Sequence, residues 1–356
     1  MLAPAVPKKT TLPITTQVLL AEGKAMATDL EVGVSVGLPE AEEPVLLPHK
    51  GALEFLRYAP AHKTARVTPT KGKVSLAVDG TETSLDAGTP QDFPPIPENG
   101  GESEGVLDGD ALVRALTTVL LCAATEESRP VLSGVHLATG DTVEAVGADG
   151  FRLAWERIPG KLSGPSMNIP RRAVEVLEHL WKRGATPELA GAREIASVAI
   201  AKRLIRLDWG NERLQLRFGG IALVAQLIGG TFPNYRQLIP TETAPPITVH
   251  AEDMERALRQ VRKVAEDGSG IVRLVWEGEK LTVSAQGKEV GETSVPIPVT
   301  SSEPGRIALN LGYLLEYFKG RSGAVTMAPN KEDKGPVMFS HRGAPHLLIM
   351  PMNVQW

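Results

Sequence analysis

The segment RLVWEGEKLTV, residues 273–283, is one of three copies of the pattern that decides the fold. The other copies are RVTPTKGKVSL at 66–76 and RLDWGNERLQL at 206–216. Each opens with Arg and an aliphatic residue, passes through a tip that contains glycine, and continues with a basic residue and alternating apolar residues. Apolar residues at every second position around such a tip predict a β-hairpin, so the sequence contains a repeated hairpin.

Helical segments repeat on a similar pitch. DALVRAL at 110–116 recurs as EDMERAL at 252–258, and each segment begins with acidic residues. Apolar residues three or four positions apart predict a helix with one buried face. The two predicted stripes are Leu112, Leu116, Val119 and Ala123, and Met254, Leu258, Val261 and Ala265.

A second helix family comprises KGALEFL at 50–56 and RRAVEVL at 171–177, with a looser copy in NLGYLLEYF at 310–318. Pro/Gly-rich clusters at 92–101 and 240–246 separate the repeats, as loops between domains do. The sequence therefore predicts an α+β protein of three domains built from strands and short helices. The predicted domain boundaries are 1–103, 104–243 and 244–356.

Composition sets the broad class. The 356 residues include 38 basic and 42 acidic side chains, for a formal net charge of −4, and the overall usage is that of a globular protein. The single cysteine, Cys122, lies in an apolar run and is expected to be a buried thiol in a reducing compartment. Lysines follow the first apolar residues, the reverse of a secretory signal, and no apolar run is long enough for a membrane span. These features predict a cytoplasmic protein with no membrane partner.

Several segments that follow one another along residues 8–356 resemble the bacterial sliding clamp family, the β subunit of DNA polymerase III. They are TTLPI (10–14), ATDLEVGVSV (27–36), DFP (92–94), RPVLSGVHL (129–137), GADGFRLA (147–154), TFPNYRQLIP (231–240), NLGYLL (310–315) and IMPM (349–352). The resemblance implies three similar DNA-clamp domains, each with two half-repeats of strands plus a short helix, assembling head to tail as a ring-shaped homodimer. Only about ten residues precede TTLPI, where the family has a strand and a helix, so the first domain is expected to lack part of its first half-repeat.

The resemblance also implies a function without catalysis or cofactors. Such a ring encircles duplex DNA without sequence specificity and tethers the polymerase for processive synthesis. The implied partners are double-stranded DNA, a second copy of the chain, the DNA polymerase III α subunit, the clamp loader and other proteins that carry clamp-binding peptides.

Basic residues recur on the related helices. Arg256, Arg259, Arg262 and Lys263 lie opposite one apolar stripe; Arg171, Arg172, Lys182 and Arg183 flank a second helix; Lys50 and Arg57 belong to a third. A solvated helix face explains any one of these stripes, whereas their repetition favours sequence-independent contact with phosphates. With basic loop positions that the resemblance adds, the predicted DNA-binding residues are Lys8, Lys9, Lys50, Arg129, Arg171, Arg172, Arg256, Arg259 and Lys263.

A second set of residues resembles the family's pocket for partner peptides, which lies between the second and third domains. Asp149-Gly150 by itself is typical of a hairpin turn, and Pro233 and Pro351 of loops. Adaptable methionines in an apolar cleft suit the binding of varied peptides. The predicted pocket residues are Leu132, Gly150, Phe151, Arg152, Leu153, Pro233, Leu238, Asn310, Tyr313, Met350, Pro351 and Met352, and Gln237 stands where the family is usually basic.

The sequence contains no GxxxxGK[ST] or HExxH segment, and its seven histidines are scattered without metal-ligand spacing. We therefore expect no catalytic residues and no metal site. Two alternatives stay open at this point. One is a monomeric clamp-fold adaptor or decoy that binds client peptides without encircling DNA, and the other is a hydrolase on a repetitive α+β scaffold.

Overall fold

The computed structural model describes residues 1–41, 43–60, 62–98, 100–126, 128–184, 203–331, 335–342 and 345–356. Within these segments the α-helices are α1 His49–Leu56, α2 Gly109–Leu120, α3 Arg171–Gly184, α4 Ala251–Asp267 and α5 Leu311–Phe318. Short 3₁₀ helices occur at Ala3–Ala5, Pro13–Thr16, Pro90–Asp92, Pro130–Leu132 and Tyr235–Leu238. No helix in the described segments is both long and apolar enough to cross a membrane.

Strands make up most of the remaining regular structure. They are β1 Gln17–Ala21, β2 Lys24–Thr28, β3 Val32–Gly37, β4 Val45–Pro48, β5 Arg66–Thr70, β6 Lys73–Val78, β7 Thr81–Asp86, β8 Ser103–Asp108, β9 Gly134–Ala138, β10 Val143–Ala148, β11 Arg152–Ile158, β12 Met167–Pro170, β13 Leu204–Trp209, β14 Arg213–Phe218, β15 Ile221–Gln226, β16 Ile247–His250, β17 Ile271–Glu277, β18 Lys280–Gln286, β19 Glu292–Pro298, β20 Gly305–Asn310, β21 Ala324–Ala328, β22 Val337–His341 and β23 His346–Ile349. The predicted α+β class is confirmed.

All three predicted hairpins are present. Strands β5 and β6, β13 and β14, and β17 and β18 each pair antiparallel around the glycine tips. The alternation of apolar residues has the expected effect, because Val74 and Leu76 in the first hairpin and Leu281 and Val283 in the third are fully buried. The five helices that the sequence predicted are present as α1 to α5.

The chain forms two compact units. The amino-terminal unit comprises Met1–Thr117, His136–Val143 and Ile158–Gly230, and the carboxyl-terminal unit comprises Thr118–Val135, Glu144–Arg157 and Thr231–Trp356. The predicted division into three domains stays a prediction.

The amino-terminal unit contains an eight-stranded sheet in the order β4-β1-β2-β3-β15-β14-β13-β8 and a three-stranded sheet in the order β5-β6-β7. Its eight-stranded sheet joins distant parts of the chain, since β3 pairs antiparallel with β15 in the register Val34↔Leu223. Helix α1 packs against β4 and β7.

The carboxyl-terminal unit contains a four-stranded sheet in the order β19-β18-β17-β20. A second set of neighbouring strands runs β11-β23-β22-β21-β16. Here too a distant pair meets, because β11 pairs antiparallel with β23 in the register Leu153↔Leu348. Helix α4 covers β18 and β19 and packs against α5.

The predicted apolar stripe of α4 forms the core of this packing. Met254, Leu258, Val261 and Ala265 are each fully buried, and the corresponding stripe residues Leu112, Leu116 and Val119 of α2 are buried as well. Ala123, predicted to continue the α2 stripe, is also buried but lies in the turn after α2, which ends at Leu120. Helix periodicity places these side chains on one side, so a single face supplies most of the apolar burial that holds the helix on the sheet.

Cys122 is buried as predicted, in the turn that follows α2. Burial raises the pKa of its thiol to about 12, because an apolar surrounding disfavours the thiolate. The thiol is therefore protonated at neutral pH and unreactive toward oxidants that need a thiolate.

We expect Leu258→Ala to lower the free energy of unfolding of the carboxyl-terminal unit by about 2–5 kcal/mol, because it leaves a cavity at a fully buried position. Urea denaturation followed by circular dichroism measures the change. The matched control is Gln260→Ala on the exposed face of the same helix, for which a change above about 0.5 kcal/mol is not expected. Equal effects of the two variants would contradict the assignment of the buried face.

Candidate functional site

The basic residues of α4 lie on its exposed face, opposite the buried stripe, as the periodicity predicts. Each arginine also pairs with a carboxylate of the same helix: Arg256 with Asp253, Arg259 with Glu255, and Arg262 with Glu266, all at 2.6 Å. The face therefore carries both signs of charge.

The count of charges over α4 differs from what the basic stripe alone indicates. Residues 251–267 contain four basic and five acidic side chains. Two of the acids point toward the loop that follows α5, because Glu255 accepts a hydrogen bond from the Gly320 N–H at 3.0 Å and Glu252 accepts one from the Gly323 N–H at 3.2 Å. Ion pairs at a helix surface contribute little to stability, so the arginines can exchange their carboxylates for an external anion at small cost.

Arg172 has a structural role that the sequence did not reveal. Its Nε lies 2.7 Å from Asp29 Oδ2, and its guanidinium also donates to the Pro4 carbonyl. Asp29 in turn accepts a hydrogen bond from the Val32 N–H at 2.8 Å, at the start of β3. Arg172 thus ties α3 to the loop before β3 and to the first residues of the chain.

Several predicted DNA-contacting residues lie near this contact between Arg172 and Asp29. Lys8, Lys9 and Arg172 line an open cavity of about 1100 Å³ in the amino-terminal unit, together with Asp29 and His179. Both lysines are exposed. Three cationic groups and the carboxylates of Asp29 and Glu31 therefore line the same cavity.

The other predicted DNA-contacting residues are distributed over the helix surfaces. Lys50 is exposed near the start of α1, Arg171 is partly buried at the start of α3, and Lys263 is exposed on α4. Lys182 and Arg183, at the end of α3, are exposed, and Lys182 pairs with Glu178 at 2.6 Å. Their contact with DNA stays a prediction.

Arg129 lies against a turn rather than extending freely from its loop. Its Nη1 donates to the Asp149 carbonyl at 3.1 Å. Gly150 adopts a φ of +94°, and a Cβ built there would lie 2.1 Å from Arg129 Nη1. Glycine suits the left-handed backbone at this position, and the guanidinium occupies the space that a Cβ would take.

This turn borders an apolar cavity of about 790 Å³ in the carboxyl-terminal unit. Six residues of the predicted peptide pocket line it, namely Gly150, Phe151, Arg152, Leu153, Leu238 and Met350. Phe151 and Leu238 are 57% and 56% exposed, which is unusual for large apolar side chains. A concave apolar surface with a few charged groups at its edges suits a ligand with apolar anchors.

The turn itself is one residue longer than a two-residue hairpin connection. Asp149, Gly150 and Phe151 join β10 to β11, and the Asp149 carboxylate accepts hydrogen bonds at 2.9 Å from the N–H groups of both Phe151 and Arg152. The Phe151 carbonyl accepts from the Met350 N–H at 2.9 Å, which brings the two apolar side chains to one rim.

The remaining six predicted pocket residues are not part of the cavity wall. Leu132 packs against the buried cluster beneath it, which includes Trp155, Phe232 and Tyr235. Asn310 caps α5 by accepting from the Tyr313 N–H, and the Met352 N–H donates to the Ala308 carbonyl. The six residues absent from the described wall are Leu132, Pro233, Asn310, Tyr313, Pro351 and Met352.

Arg152 contacts two carboxylates and an aromatic ring. Its Nε lies 3.0 Å from Asp149 Oδ2, its Nη1 lies 2.5 Å from Glu316 Oε2, and its guanidinium stacks 4.2 Å from the ring centroid of Tyr313. The side chain is only 10% exposed. Arg152 therefore links β11 to α5 while it also lines the cavity.

Glu144 holds in place the 3₁₀ helix Tyr235–Leu238, which contributes Leu238 to the cavity wall. This buried carboxylate on β10 accepts hydrogen bonds from Tyr235 Oη at 2.6 Å and Arg236 Nη2 at 2.9 Å, both in the 3₁₀ helix that carries Leu238. Burial raises the pKa of Tyr235 to about 12, and the bond to Glu144 adds to that rise. Burial alone would raise the pKa of Glu144, but the bonds from Tyr235 and Arg236 outweigh it and hold the pKa below its usual range.

The sequence did not identify much of the cavity wall. Gln237, which the resemblance noted as a departure from the family, lies in the wall as well. Ile239, Pro240, Thr241 and Glu242 adjoin Leu238 in the chain, so their proximity could have been predicted from it. The other missed residues are Ala148, Asn330, Lys331, Gly335, Pro336 and Leu348. The loop that carries Lys331 has no local signal, since a bridge between Thr243 and Asn330 brings it there. In the described part of the chain, no group of three or more His, Cys, Asp or Glu side chains is arranged to hold a metal ion.

Comparison with known proteins identifies relatives along nearly the whole chain. Residues 106–234 match the family described as DNA polymerase III beta subunit, central domain. A beta sliding clamp of Caulobacter vibrioides is 27% identical, with 98% of this chain and 91% of that protein covered. A beta sliding clamp of Synechococcus elongatus is 24% identical, with 99% and 94% covered.

Solved structures share the fold. A DNA polymerase sliding clamp from Pseudomonas aeruginosa, crystallised with a ligand, superimposes with a TM-score of 0.85 at 20% identity and covers 99% of this chain and 95% of its own. A DNA polymerase III subunit beta from Bartonella birtlesii, bound to griselimycin, has the same TM-score at 22% identity, with 98% and 94% covered. These matches confirm the predicted arrangement of strands and helices.

We expect Glu144→Gln to lower stability at pH 7 by about 1–3 kcal/mol, because Arg236 and Tyr235 lose an ionised acceptor. The pKa of Glu144 is lower in the folded state than in the unfolded state, so its contribution is present above the unfolded pKa and is lost as pH falls through the folded pKa. The difference between the wild type and the variant should therefore shrink as pH is lowered from 7 to 3. Thermal denaturation across this range, with the exposed Glu277→Gln as control, measures it; a constant difference would contradict the assignment.

Proposed function

We propose that the chain acts as a sliding clamp, because residues 106–234 match the family described as DNA polymerase III beta subunit, central domain, and nearly the whole chain is similar to bacterial beta sliding clamps. In this role two copies close a ring around duplex DNA and tether the polymerase and other clamp-binding proteins. The role requires no catalysis by the chain itself and places it in the cytoplasm with the chromosome.

The main observation in support is how the strands that extend the hairpins pair with one another. Each hairpin is extended by a third strand, and the third strands of distant repeats pair with each other, β3 with β15 and β11 with β23. Two further third strands, β7 and β19, each stand at the end of their sheet. A head-to-tail dimer would pair β7 of one subunit with β19 of the other, and such heterologous contacts close a ring when the rotation fits.

The three-domain division at 1–103, 104–243 and 244–356 is part of this proposal. Six half-repeats per subunit require four third strands to pair within the chain and two to pair across subunits. The sheet orders agree with that count, since β3, β15, β11 and β23 have internal partners.

Contact with DNA is proposed for the basic helix faces and loops. The exposed bases of α4 and the cationic groups around the cavity of Lys8 and Lys9 can neutralise phosphates without reading sequence. Their pairing with nearby acids limits the net attraction. A clamp needs weak, exchangeable contacts so that it can slide.

Client binding is proposed for the apolar cavity beside the Asp149–Phe151 turn. Phe151, Leu238 and Met350 offer apolar contact at its rim, while Arg152, Glu242 and Lys331 place charges around it. Extended peptides from the polymerase α subunit, the clamp loader and other clients would insert apolar side chains here.

We expect Arg256→Ala, Arg259→Ala and Lys263→Ala together to reduce the slope of log affinity for linear duplex DNA against log salt by about 2–3, because up to three phosphate contacts are lost. Fluorescence anisotropy at several salt concentrations measures the slope. The control removes three exposed bases elsewhere in the carboxyl-terminal unit, Lys280, Lys288 and Arg342. An unchanged slope in the first variant would refute the assignment of α4 to the DNA surface.

We expect Leu238→Ala and Phe151→Ala each to weaken binding of a fluorescent clamp-binding peptide from the polymerase α subunit by about tenfold, since each removes apolar area that the peptide buries. Both side chains are more than half exposed, so the fold should be unaffected. Val275→Ala, an exposed apolar position outside the cavity, is the control. Peptide affinity equal to that of the wild type in both variants would contradict the pocket assignment.

A further inference from the structure

The internal seam between β3 and β15 provides a template for the seam between subunits. Its register places Ser35 opposite Ala222 and Gly33 opposite Val224. Two flanking backbone bonds continue the ladder, from the Gly37 N–H to the Gly220 carbonyl at 3.1 Å and from the Gln226 N–H to the Glu31 carbonyl at 3.2 Å.

Strand registers within the repeats fix which residues correspond. Lys24 and Lys280 correspond, because each is the first residue after a two-residue hairpin turn. Lys24 lies opposite Gly37, and Lys280 lies opposite Pro298. Gly37 therefore corresponds to Pro298. Counting back along both strands, Ser35 corresponds to Pro296, Gly33 to Ser294 and Glu31 to Glu292.

The same comparison relates β15 to β7. Phe218 lies opposite Ile221, and Val78 lies opposite Thr81, across hairpin turns of the same length. Ile221 therefore corresponds to Thr81. Ala222, Val224 and Gln226 correspond to Glu82, Ser84 and Asp86.

We propose that β7 of one subunit pairs with β19 of its partner in this register, and that two prolines and one like-charge pair make the seam weaker than the seams inside each subunit. Glu82 would lie opposite Pro296, Ser84 opposite Ser294, and Asp86 opposite Glu292. The inference rests on the proposed ring.

Backbone directions show that the prolines face the free edge. The Val299 N–H donates to the Glu279 carbonyl at 3.0 Å, and the Gly291 carbonyl accepts from Gly287 at 2.7 Å, so odd-numbered residues of β19 point toward β18. Amide directions alternate along a strand. Pro296 and Pro298 therefore point outward, where their nitrogens have no hydrogen to donate.

The backbone groups of alternate residues in β7 point outward, as this pairing requires. The Ala87 N–H donates to the Gly72 carbonyl at 3.1 Å on the β6 side, so Glu82, Ser84 and Asp86 point outward. The carbonyls of Glu82 and Gly80 would then face Pro296 and Pro298. At the corresponding places in the internal seam, Ser35 and Gly37 have N–H groups, and Gly37 uses its own.

A pair of like charges further weakens the proposed pairing of β7 with β19. Asp86 and Glu292 would lie directly opposite each other, and like charges at such positions destabilise a strand pair. Lys73 lies 3.7 Å from Asp86 and partly offsets its charge, while Lys288 and Glu289 in the turn before β19 balance each other. In the internal seam the residue that corresponds to Asp86 is the uncharged Gln226.

The first experiment restores the missing donors. Pro296→Ser and Pro298→Gly together copy the residues of the internal seam, and the dimer dissociation constant from sedimentation equilibrium should fall about tenfold or more, since two hydrogen bonds are added at each seam. Pro304→Ser, an exposed proline outside a strand, is the control and should leave the constant unchanged. An unchanged or weaker dimer for the double variant would overturn the role of the prolines; circular dichroism and the single Pro296→Ser variant show whether misfolding is the cause.

The second experiment tests the register by charge exchange. Asp86→Lys alone and Glu292→Lys alone should each tighten the dimer, because opposite charges then face each other. The two changes in one chain should return the dissociation constant toward that of the wild type, because two lysines then face each other. Additive effects of the two substitutions would overturn the register.

These results separate the seam from the ring. A wild-type chain that stays monomeric at every concentration would refute the proposed ring itself. A wild-type dimer whose constant responds to neither the proline nor the charge variants would refute only the seam inference.

Discussion

Antiparallel pairing between third strands of distant repeats is the interaction on which this structure depends. A hairpin with a third strand leaves one row of main-chain groups unpaired, and three such strands covered by one helix form a small core. The pairs β3–β15 and β11–β23 satisfy those rows and merge small sheets into large ones. The helices follow from this arrangement, since α4, for example, covers the apolar face of β18 and β19 with a fully buried stripe.

Both candidate surfaces depend on that framework. The register Leu153↔Leu348 brings β11 beside β23, and this alone places Phe151 and Met350 at one rim of the apolar cavity. Glu144 then sets the opposite wall through Tyr235 and Arg236. On the helices, burial of one face leaves the charged residues outside, where bases and acids alternate closely enough to pair.

Periodicity predicted the hairpins, the helices and their buried faces because those features depend on residues close in sequence. It did not predict the role of Arg172, whose partner Asp29 is 143 positions away, or the approach of Lys331 to the cavity. The resemblance located six residues of the cavity wall, but a pattern of bases said nothing of the acids that pair with them on α4. In general, contacts within one element were predictable, whereas contacts made by loops across the chain were not.

The outward-facing prolines of β19 have a further consequence for a free subunit. An exposed strand edge is a template on which other chains can add strands without limit, and natural proteins guard such edges with prolines and charges. Pro296 and Pro298 reduce the donors on this edge, and Glu292 adds a charge at its start. The residues that weaken a specific partnership therefore also protect newly made chains from indiscriminate aggregation.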